Sequence, residues 1–571
     1  MRNIRDSLAI GYACLAAWSD LLDRINVFPV ADGDTGANLR VSLAPLREAG
    51  EEARELTARL ARCAIGNSGN IAAAFFQEFC LAEVLPDLAA HAARGRESAW
   101  RAVADPCPGT MLTVFDGLAA ELAGHLDGLP GPGLHARLRQ ALAEGERQVP
   151  ALRRAGVVDA GALGMIVFFE GFISHLRGEA PDMSAIRDGF AGSLEVDRAF
   201  HPATAASSCV DTVIEAADCG LRERLAGLGD SVVVTQAGPS RLKVHLHTPD
   251  PERLRRQMSE EGRILQWSAH PIEQENAGLF AETQEQPAIH LMTDAAGSFP
   301  REWARRFRVT LLDSYITVDG DTRPESLHTP QSLYPRMRQG AKATTAQAST
   351  FERGQHYAGA CQQFGPTLYL CTGSAFTGNV GVAMAWKKDS DAENLFEVID
   401  TGAASGRLGL LALLTARYNL RAGSAEEVTA FARASMERCE EFIFIDQLKY
   451  LAASGRVSRA GGFFGDLFRV RPVVSPFRDG VRKVGVARDP SEQIDFALAR
   501  LAQRFSPDSA CAVLLQSTDN GDWLEAEVAP RVRNLLPGAE VLHAPLSLTA
   551  GVHLGPGVWS VACCPADEAW P

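Results

Sequence analysis

Along the first 195 or so residues, apolar side chains recur at three- and four-residue spacing, with few β-branched residues among them. That period predicts one helix after another. The first runs from Leu8 through Trp18 to Arg24. Leu43–Arg47 and Glu52–Arg62 follow, then an apolar helix over Ile71–Val84, one opening at Pro108–Thr113 and one over Met165–Leu176. From about 200 to 280 the pattern changes: Ser231–Thr235 and Arg241–His247 read as strands and Pro251–Glu261 as a helix. Glu282–Gln286 is a polar seam. Beyond it strand and helix signals alternate as in an α/β fold, with strands at Ala288–Asp294, Val309–Leu312, Thr367–Cys371, Phe396–Asp400 and Glu441–Ile445. The expected layout is an all-helical domain at 1–195, a small α/β middle domain at 200–282 and a two-lobed α/β domain at 287–571.

Composition narrows the function classes. The chain has 571 residues, 46% hydrophobic and 22% charged, enough for several domains. Its net charge of −14 argues against a nucleic-acid binder, which needs a basic face. Twelve cysteines without a C-x-x-C pair read as reduced thiols, and a cytoplasmic location is expected. Arg2 and Arg5 before the apolar Leu8–Trp18 imitate a secretory signal, but the stretch continues through Asp20–Arg24 without a cleavage site, so it is read as a helix. No apolar run of about eighteen residues suits a membrane span.

Candidate chemistry collects on four polar turns of the helical half. Asp32 and Asp34 alternate with Gly33 in the segment Asn26–Asn38, a setting that suits a hard cation shared with phosphates; it also reads as a solvated Asx-Gly turn. Gly66–Gly69 opens a helix and offers free N–H groups to a phosphate, unless Asn67 or Ser68 simply caps it. Pro108–Thr113 and Gly156–Gly164 repeat the theme, and in an antiparallel bundle such loops gather at one end. In the middle region His245 and His247 leave one face of a strand; with Cys209, or less readily Cys219, they supply three ligands of the kind zinc prefers, and otherwise they are surface histidines. In the last domain, small-residue turns at strand ends (293–297, 372–378, 400–406) sit where open α/β sheets bind ligands.

Taken in order, the helical motifs resemble the DhaL-like ATP-binding domain of dihydroxyacetone kinases, and more closely that of the bacterial fatty acid kinases. The resemblance implies a DhaL-like helical barrel with Mg-ATP at one end: Asp32 and Asp34 on Mg²⁺ with help from Asn26; Thr35, Asn38, Asn67, Ser68, Gly69 and Thr110 lining the nucleotide; Asp159 and Gly161 near it. Dihydroxyacetone kinases carry a third aspartate in the region of Asn26. The stretch 229–248 resembles the fatty acid kinase middle domain, where a Cys/His/His set binds zinc. Thr293-Asp294, Thr345–Ser349, Phe376–Gly378, Asp400–Gly409, Gly455–Ser458, Arg471–Val474 and Gly551–Gly557 resemble the DegV family of fatty acid-binding proteins. That likeness implies a fatty acid carboxylate held by Thr345, Ser374 and Thr377, with Arg456 and His553 close by. The departures are modest: Thr377 keeps a hydroxyl where the family has serine, and Arg471 replaces a lysine.

One half then looks like an Mg-ATP site without an acceptor and the other like an acyl-chain holder without a catalyst. The implied reaction is transfer of phosphate from ATP to a fatty acid, giving acyl phosphate and ADP. A carboxylate with a pKa of about 4.3 is already ionised at neutral pH, so no base is needed. Asp32, Asp34 and Arg456, or the nearby Arg459, are the expected catalytic residues. At about 0.8 kcal/mol per buried CH₂, two carbons of chain length are worth about tenfold in affinity. Fusing the two halves would raise their effective concentration to the millimolar range. The expectation extends to a homodimer, a place in phospholipid metabolism with a downstream acyltransferase, and passing contact with a membrane surface. The alternatives are a kinase for another small acceptor such as dihydroxyacetone, whose ketone-capturing histidine domain has no counterpart here, and a non-catalytic lipid sensor.

Overall fold

A computed structural model describes residues 3–47, 52–125, 129, 134–146, 149–197, 199–201, 207–215, 221–225, 227–238, 240–272, 287–453 and 471–566. The chain divides into two compact units, Met1–Glu282 and Thr283–Pro571.

The first unit begins as helices: α1 (Ile4–Arg24), α2 (Thr35–Leu43), α3 (Ala53–Cys63), α4 (Gly66–Phe79), α5 (Leu88–Ala102), α6 (Met111–Ala123), α7 (Leu134–Glu146), α8 (Pro150–Ala155), α9 (Ala160–Arg177) and α10 (Met183–Gly189). Helix α9 is apolar on nearly all sides because it is enclosed. It lies close against α1, where a Cβ on Gly11 would come within 2.7 Å of the Phe168 carbonyl and one on Gly171 within 2.7 Å of Cys14 Sγ. Phe75, Phe76 and Phe79 of α4 pack with Phe115, Phe168, Phe169 and Phe172, several rings meeting edge to face. Three expectations shift. The helix expected over Ile71–Val84 runs Gly66–Phe79, so the Gly-Asn-Ser-Gly turn is its own first turn. The Met165–Leu176 helix starts earlier, at Ala160, because the Asp159 side chain caps it through Ala162 N–H. Leu43–Arg47 is the end of α2 followed by a 3₁₀ turn, with Pro45 lacking the N–H a longer helix needs.

The middle region is a small antiparallel sheet of β1 (Ser208–Glu215), β2 (Asp230–Gly238), β3 (Arg241–Thr248) and β4 (Arg263–Pro271), in the order β2-β3-β1-β4. Val210, Ile214, Val244 and Leu246 on one face pack with Leu254 and Met258 of the helix Pro251–Glu261. The other face meets the helices: Ala104 N–H bonds the Val232 carbonyl, and Val233 packs with Ala74 and Ala102.

Among its described residues the second unit holds three sheets. β5 (His290–Asp294), β6 (Thr310–Leu312), β10 (Thr367–Cys371) and β11 (Phe396–Asp400) form a parallel sheet in the order β11-β10-β5-β6. β7 (Tyr315–Val318), β8 (Asp321–Pro324) and β9 (Ala343–Ala346) make an antiparallel one. β12 (Glu440–Phe444), β13 (Arg471–Phe477), β14 (Gly480–Ala487), β15 (Cys511–Ser517), β16 (Ala539–Pro545) and β17 (Trp559–Pro565) form a mixed sheet in which β15 and β16 run parallel. The helix Ser405–Asn419 is buried at 12 of its 15 residues because it packs between the parallel and mixed sheets, against Leu368 and Leu370 on one and Ala512 and Leu514 on the other.

Its N-terminus rests on Glu441, a fully buried carboxyl that accepts from Ser405 Oγ at 3.1 Å and from the Gly406 and Arg407 amides at 3.0 Å each. Burial pushes this group up to about 6 despite those donors. A carboxyl raised above its unfolded value favours the fold at low pH and loses that contribution as pH rises through the raised value. Relative to Glu441→Gln, the wild-type stability of this unit is therefore expected to fall by on the order of 2 kcal/mol between about pH 4.5 and 6, read by urea unfolding at a series of pH values. Parallel pH profiles for the two proteins would refute it.

Candidate active site and second cavity

In the first unit a polar cleft is lined by Asn26, Asp32, Asp34, Thr35, Asn38 and the first turn of α4, with His245 of β3 on its wall. Its free volume of about 10 Å³ admits a single ion or water. Asp34 occupies the N-cap position of α2 but spends no capping bond there; Asp23 accepts from Ala37 N–H in its place, at 3.0 Å. Asp32 is buried and accepts from Asn26 Nδ2 at 2.5 Å. Burial, then the charge of Asp34 and the hydrogen bond between the two carboxyls, hold Asp32 well above the usual carboxylate range. Two carboxyls forced together in a dry cleft call for a cation. Asn26 Oδ1 is buried without a partner, as is Asn67 Oδ1, so uncommitted oxygens surround the pair. This donor set fits Mg²⁺.

The first turn of α4 depends on Gly66. Its φ is +64°, and a Cβ there would meet Asn38 Nδ2 at 2.1 Å. Neither Asn67 nor Ser68 caps the helix; the N-cap position is Ile65, which offers no side-chain bond. Ser68 Oγ donates weakly to the Thr35 carbonyl at 3.4 Å. Gly69 packs on Ser42. Thr110, Asp159 and Gly161 do not line this cleft. They form a second neighbourhood: Thr110 Oγ1 donates to the Cys107 carbonyl at 2.8 Å, Asp159 caps α9 and, after burial and Asp105, helps push the Cys107 thiol up, and a Cβ on Gly161 would meet Met111 at 2.8 Å.

On the sheet, register places Cys209 opposite His247 and Asp211 opposite His245. The ligand atoms of Cys209, His245 and His247 lie within 4.8 Å of one another, a group that could hold a metal ion. Burial and the neighbouring His245 push His247 down to about 3, so its imidazole is neutral, and its Nδ1 is buried without a partner. His245 Nδ1 lies 3.2 Å from Asp211 Oδ1, the usual arrangement for orienting a ligating histidine. Cys219 lies outside the described residues. The approach of His245 to the aspartates was not foreseen, since nothing local in sequence links strand β3 to residues 26–38.

In the second unit a cavity of about 230 Å³ opens at the C-terminal side of the parallel sheet. Thr345, Thr377 and His553 all line it, with Ile443, Leu451, Pro476, Val481 and Leu554 supplying apolar wall. Thr345 Oγ1 and His553 Nε2 are 2.8 Å apart. Gln347 Nε2 donates to Thr377 Oγ1 at 2.5 Å. His553 sits on the short helix Leu548–Leu554, which Ser547 caps. Ser374 does not line the cavity: it is exposed, and its hydroxyl donates to Asp400 at 2.7 Å. Arg456 and Arg459 lie outside the described residues. The cavity adds Asn379 and Thr549, which sequence reasoning passed over, and Thr372 and Ser405, which lie in the small-residue turns 372–378 and 400–406. Gln347 lay within the recognised Thr345–Ser349 motif, so that signal was available.

Three family models match the chain in order: the DAK2 domain over residues 29–174, the FakA-like middle domain of fatty acid kinase over 207–278, and a model described as an uncharacterised DegV family protein over 288–566. Two uncharacterized proteins of Staphylococcus epidermidis are 26% identical over 312 residues, 49% of this chain and 56% of theirs. One of Staphylococcus aureus is 25% identical over 311 residues, 49% and 57%. The chain thus spans little more than half the length of these curated relatives. Among solved structures, a fatty acid-binding DegV family protein of Thermus thermophilus has a TM-score of 0.45 at 23% identity, covering 49% of this chain and all of that one. The Streptococcus pneumoniae fatty acid kinase B3 protein loaded with linoleic acid gives 0.42 at 16%, with the same coverage. The order of matched models defines the chain: it is a fusion of a DAK2 domain, a FakA-like middle domain and a DegV family domain.

Proposed function

We propose that this chain is a self-contained fatty acid kinase. The observation that carries the reading is one polypeptide holding both a cation-demanding carboxylate cleft in a DAK2 domain and an apolar cavity ending in hydroxyls and an imidazole in a DegV domain. The domain limits that go with it are 1–195, 200–282 and 287–571.

In this reading Asp32 and Asp34 hold Mg²⁺, which when bound neutralises phosphate charge. Asn26, Thr35, Asn38, Asn67, Ser68 and Gly69 seat the phosphates at the N-terminus of α4, where free N–H groups and the helix dipole favour anions. Thr110, Asp159 and Gly161 border the rest of the nucleotide. Thr345, Thr377 and His553 orient the fatty acid carboxylate; Arg456 keeps its assigned place beside it by resemblance alone. A carboxylate oxygen attacks the γ-phosphorus, the bond to ADP breaks, and acyl phosphate leaves. Both reactants are anions, so positioning and charge neutralisation do the work. Cys209, His245 and His247 hold Zn²⁺, and His245 brings that site to the wall of the aspartate cleft.

The test is ATP-dependent acyl hydroxamate formation by the purified chain with Mg²⁺, hydroxylamine and a panel of fatty acids. Product from long-chain acids is expected. Thr345→Val should weaken fatty acid binding roughly 10- to 100-fold, since it removes a hydrogen bond to a charged group. Absence of product from a chain that binds both ATP and fatty acid would overturn the kinase reading.

A further inference from the structure

We propose that Asp211 and Lys243 are positioning residues: they clamp the α3–α4 turn from the middle sheet and so tie the Cys209–His245–His247 group to the nucleotide-binding turn Gly66–Ser68. The inference rests on the kinase reading for what that turn binds.

The sheet is unusual in burying its polar face. Strand alternation puts Cys209 and Asp211 on one side of β1, and Lys243, His245 and His247 on the same side of β3. Lys243 is 8% exposed, His245 1% and His247 3%, so this face must find its partners in the protein. It finds them at two helix ends. Lys243 Nζ donates to the Ala64 carbonyl and, at 3.4 and 3.5 Å, to those of Arg62 and Ala61, the last carbonyls of α3 that no helical N–H reaches. Two residues on lies Gly66, which opens α4 and lines the cleft beside His245; against the cost of burial, the charges of His245 and Lys243 and, last, the Gly66 amide hold the Asp211 carboxyl below its usual range. A cation sits on a helix C-terminus and an anion on the next helix N-terminus, each complementing the local dipole.

That arrangement matters because α4 has no cap of its own. Ile65 stands at its N-cap without a side-chain bond, and its amide is held by Ser42 Oγ at 3.0 Å. The middle sheet supplies the missing anchor, leaving Asn67 and Ser68 free to face the cleft. Asp211 has a second role, since the same carboxylate lies 3.2 Å from His245 Nδ1. A metal on the Cys/His/His group fixes His245, His245 fixes Asp211, and Asp211 fixes the start of α4. Coupling of this kind is reciprocal: Zn²⁺ should tighten Mg-ATP binding, and Mg-ATP should tighten Zn²⁺ binding.

The experiment uses the full chain and binding rather than turnover. Titration calorimetry measures Mg-ATP affinity, and chelator competition measures Zn²⁺ affinity, for wild type, Asp211→Asn and Asp211→Glu. Asp211→Asn is expected to weaken Zn²⁺ 10- to 100-fold and Mg-ATP about tenfold, with an unchanged far-ultraviolet circular dichroism spectrum as proof of fold. Asp211→Glu should recover most of both. Stripping Zn²⁺ from the wild type should reproduce the Mg-ATP loss, which keeps the test independent of any variant. Lys243→Met should weaken Mg-ATP like Asp211→Asn. Folded Asp211→Asn protein with wild-type Mg-ATP affinity, or zinc-stripped protein with unchanged Mg-ATP affinity, overturns the proposal while leaving the kinase reading intact. Wild-type protein that binds no Mg-ATP overturns both.

Discussion

On the kinase reading proposed above, changing Asp32 to asparagine is expected to abolish acyl phosphate formation, by about 1,000-fold or more, while raising the melting temperature of the metal-free protein. The first effect follows from the metal that Asp32 and Asp34 would hold: a cation there would neutralise phosphate charge, worth several kcal/mol of transition-state stabilisation, and each 1.4 kcal/mol is about tenfold in rate. The second follows from the cost of the site. Asp32 is buried and beside Asp34, and its carboxyl is held above the usual range. At neutral pH without metal, its charge therefore works against folding; the contribution is favourable at low pH and is lost as pH rises through the raised value. Asparagine removes that cost and keeps the shape. Mg²⁺ should raise the melting temperature of the wild type and leave Asp32→Asn unmoved, and the gap between the metal-free proteins should close on acidification. Melting curves with and without Mg²⁺ at two pH values test all of this. A wild type indifferent to Mg²⁺, or an active variant, would refute the metal assignment.

The other large effect lies in the second unit. Asp294 is fully buried at the end of β5 and accepts from Arg353 Nη1 at 3.0 Å, Tyr369 OH at 2.8 Å, Thr372 N–H at 2.9 Å and Asn379 Nδ2 at 2.9 Å. Arg353 is 2% exposed, and among the described residues no other carboxylate is paired with it. Asp294→Ala therefore leaves a buried guanidinium uncompensated, at a cost of about 3–5 kcal/mol. In a unit this size that lowers the melting temperature by roughly 10 °C. Because Thr372 and Asn379 line the cavity proposed to hold the fatty acid, affinity for it should fall as well. The double change Asp294→Asn, Arg353→Leu removes both charges and should cost less than the sum of the single changes. Additive losses in urea unfolding would show that the pair is not a unit.

Periodicity made the element order legible. The Pro251–Glu261 helix and the strands Thr367–Cys371 and Phe396–Asp400 match the expectation residue for residue, because Pro and Gly punctuate them and their apolar patterns are unambiguous. The start of α4 was misplaced by five residues. Gly66–Gly69 looks like a turn by composition, yet its residues are helical once Asn38 and the middle sheet close over them. Ser374 looked like Thr345 and Thr377, a hydroxyl in a small-residue turn; the difference is that Asp400, 26 residues away, claims it.

Local spacing by itself determined that Asp32 and Asp34 share a loop, that His245 and His247 share a strand face, and that hydroxyls cluster after strand ends. Each is a consequence of backbone geometry over a few residues. Only the tertiary structure decided which partners these groups meet: His245 on the wall of the Asp32 cleft, Lys243 on the carbonyl end of α3, Glu441 beneath Ser405, and Thr345 against His553 across 208 residues of chain. A strand pattern states that one face is polar. Whether that face meets water, a metal or the end of a helix depends on the packing of distant segments, which no local period encodes.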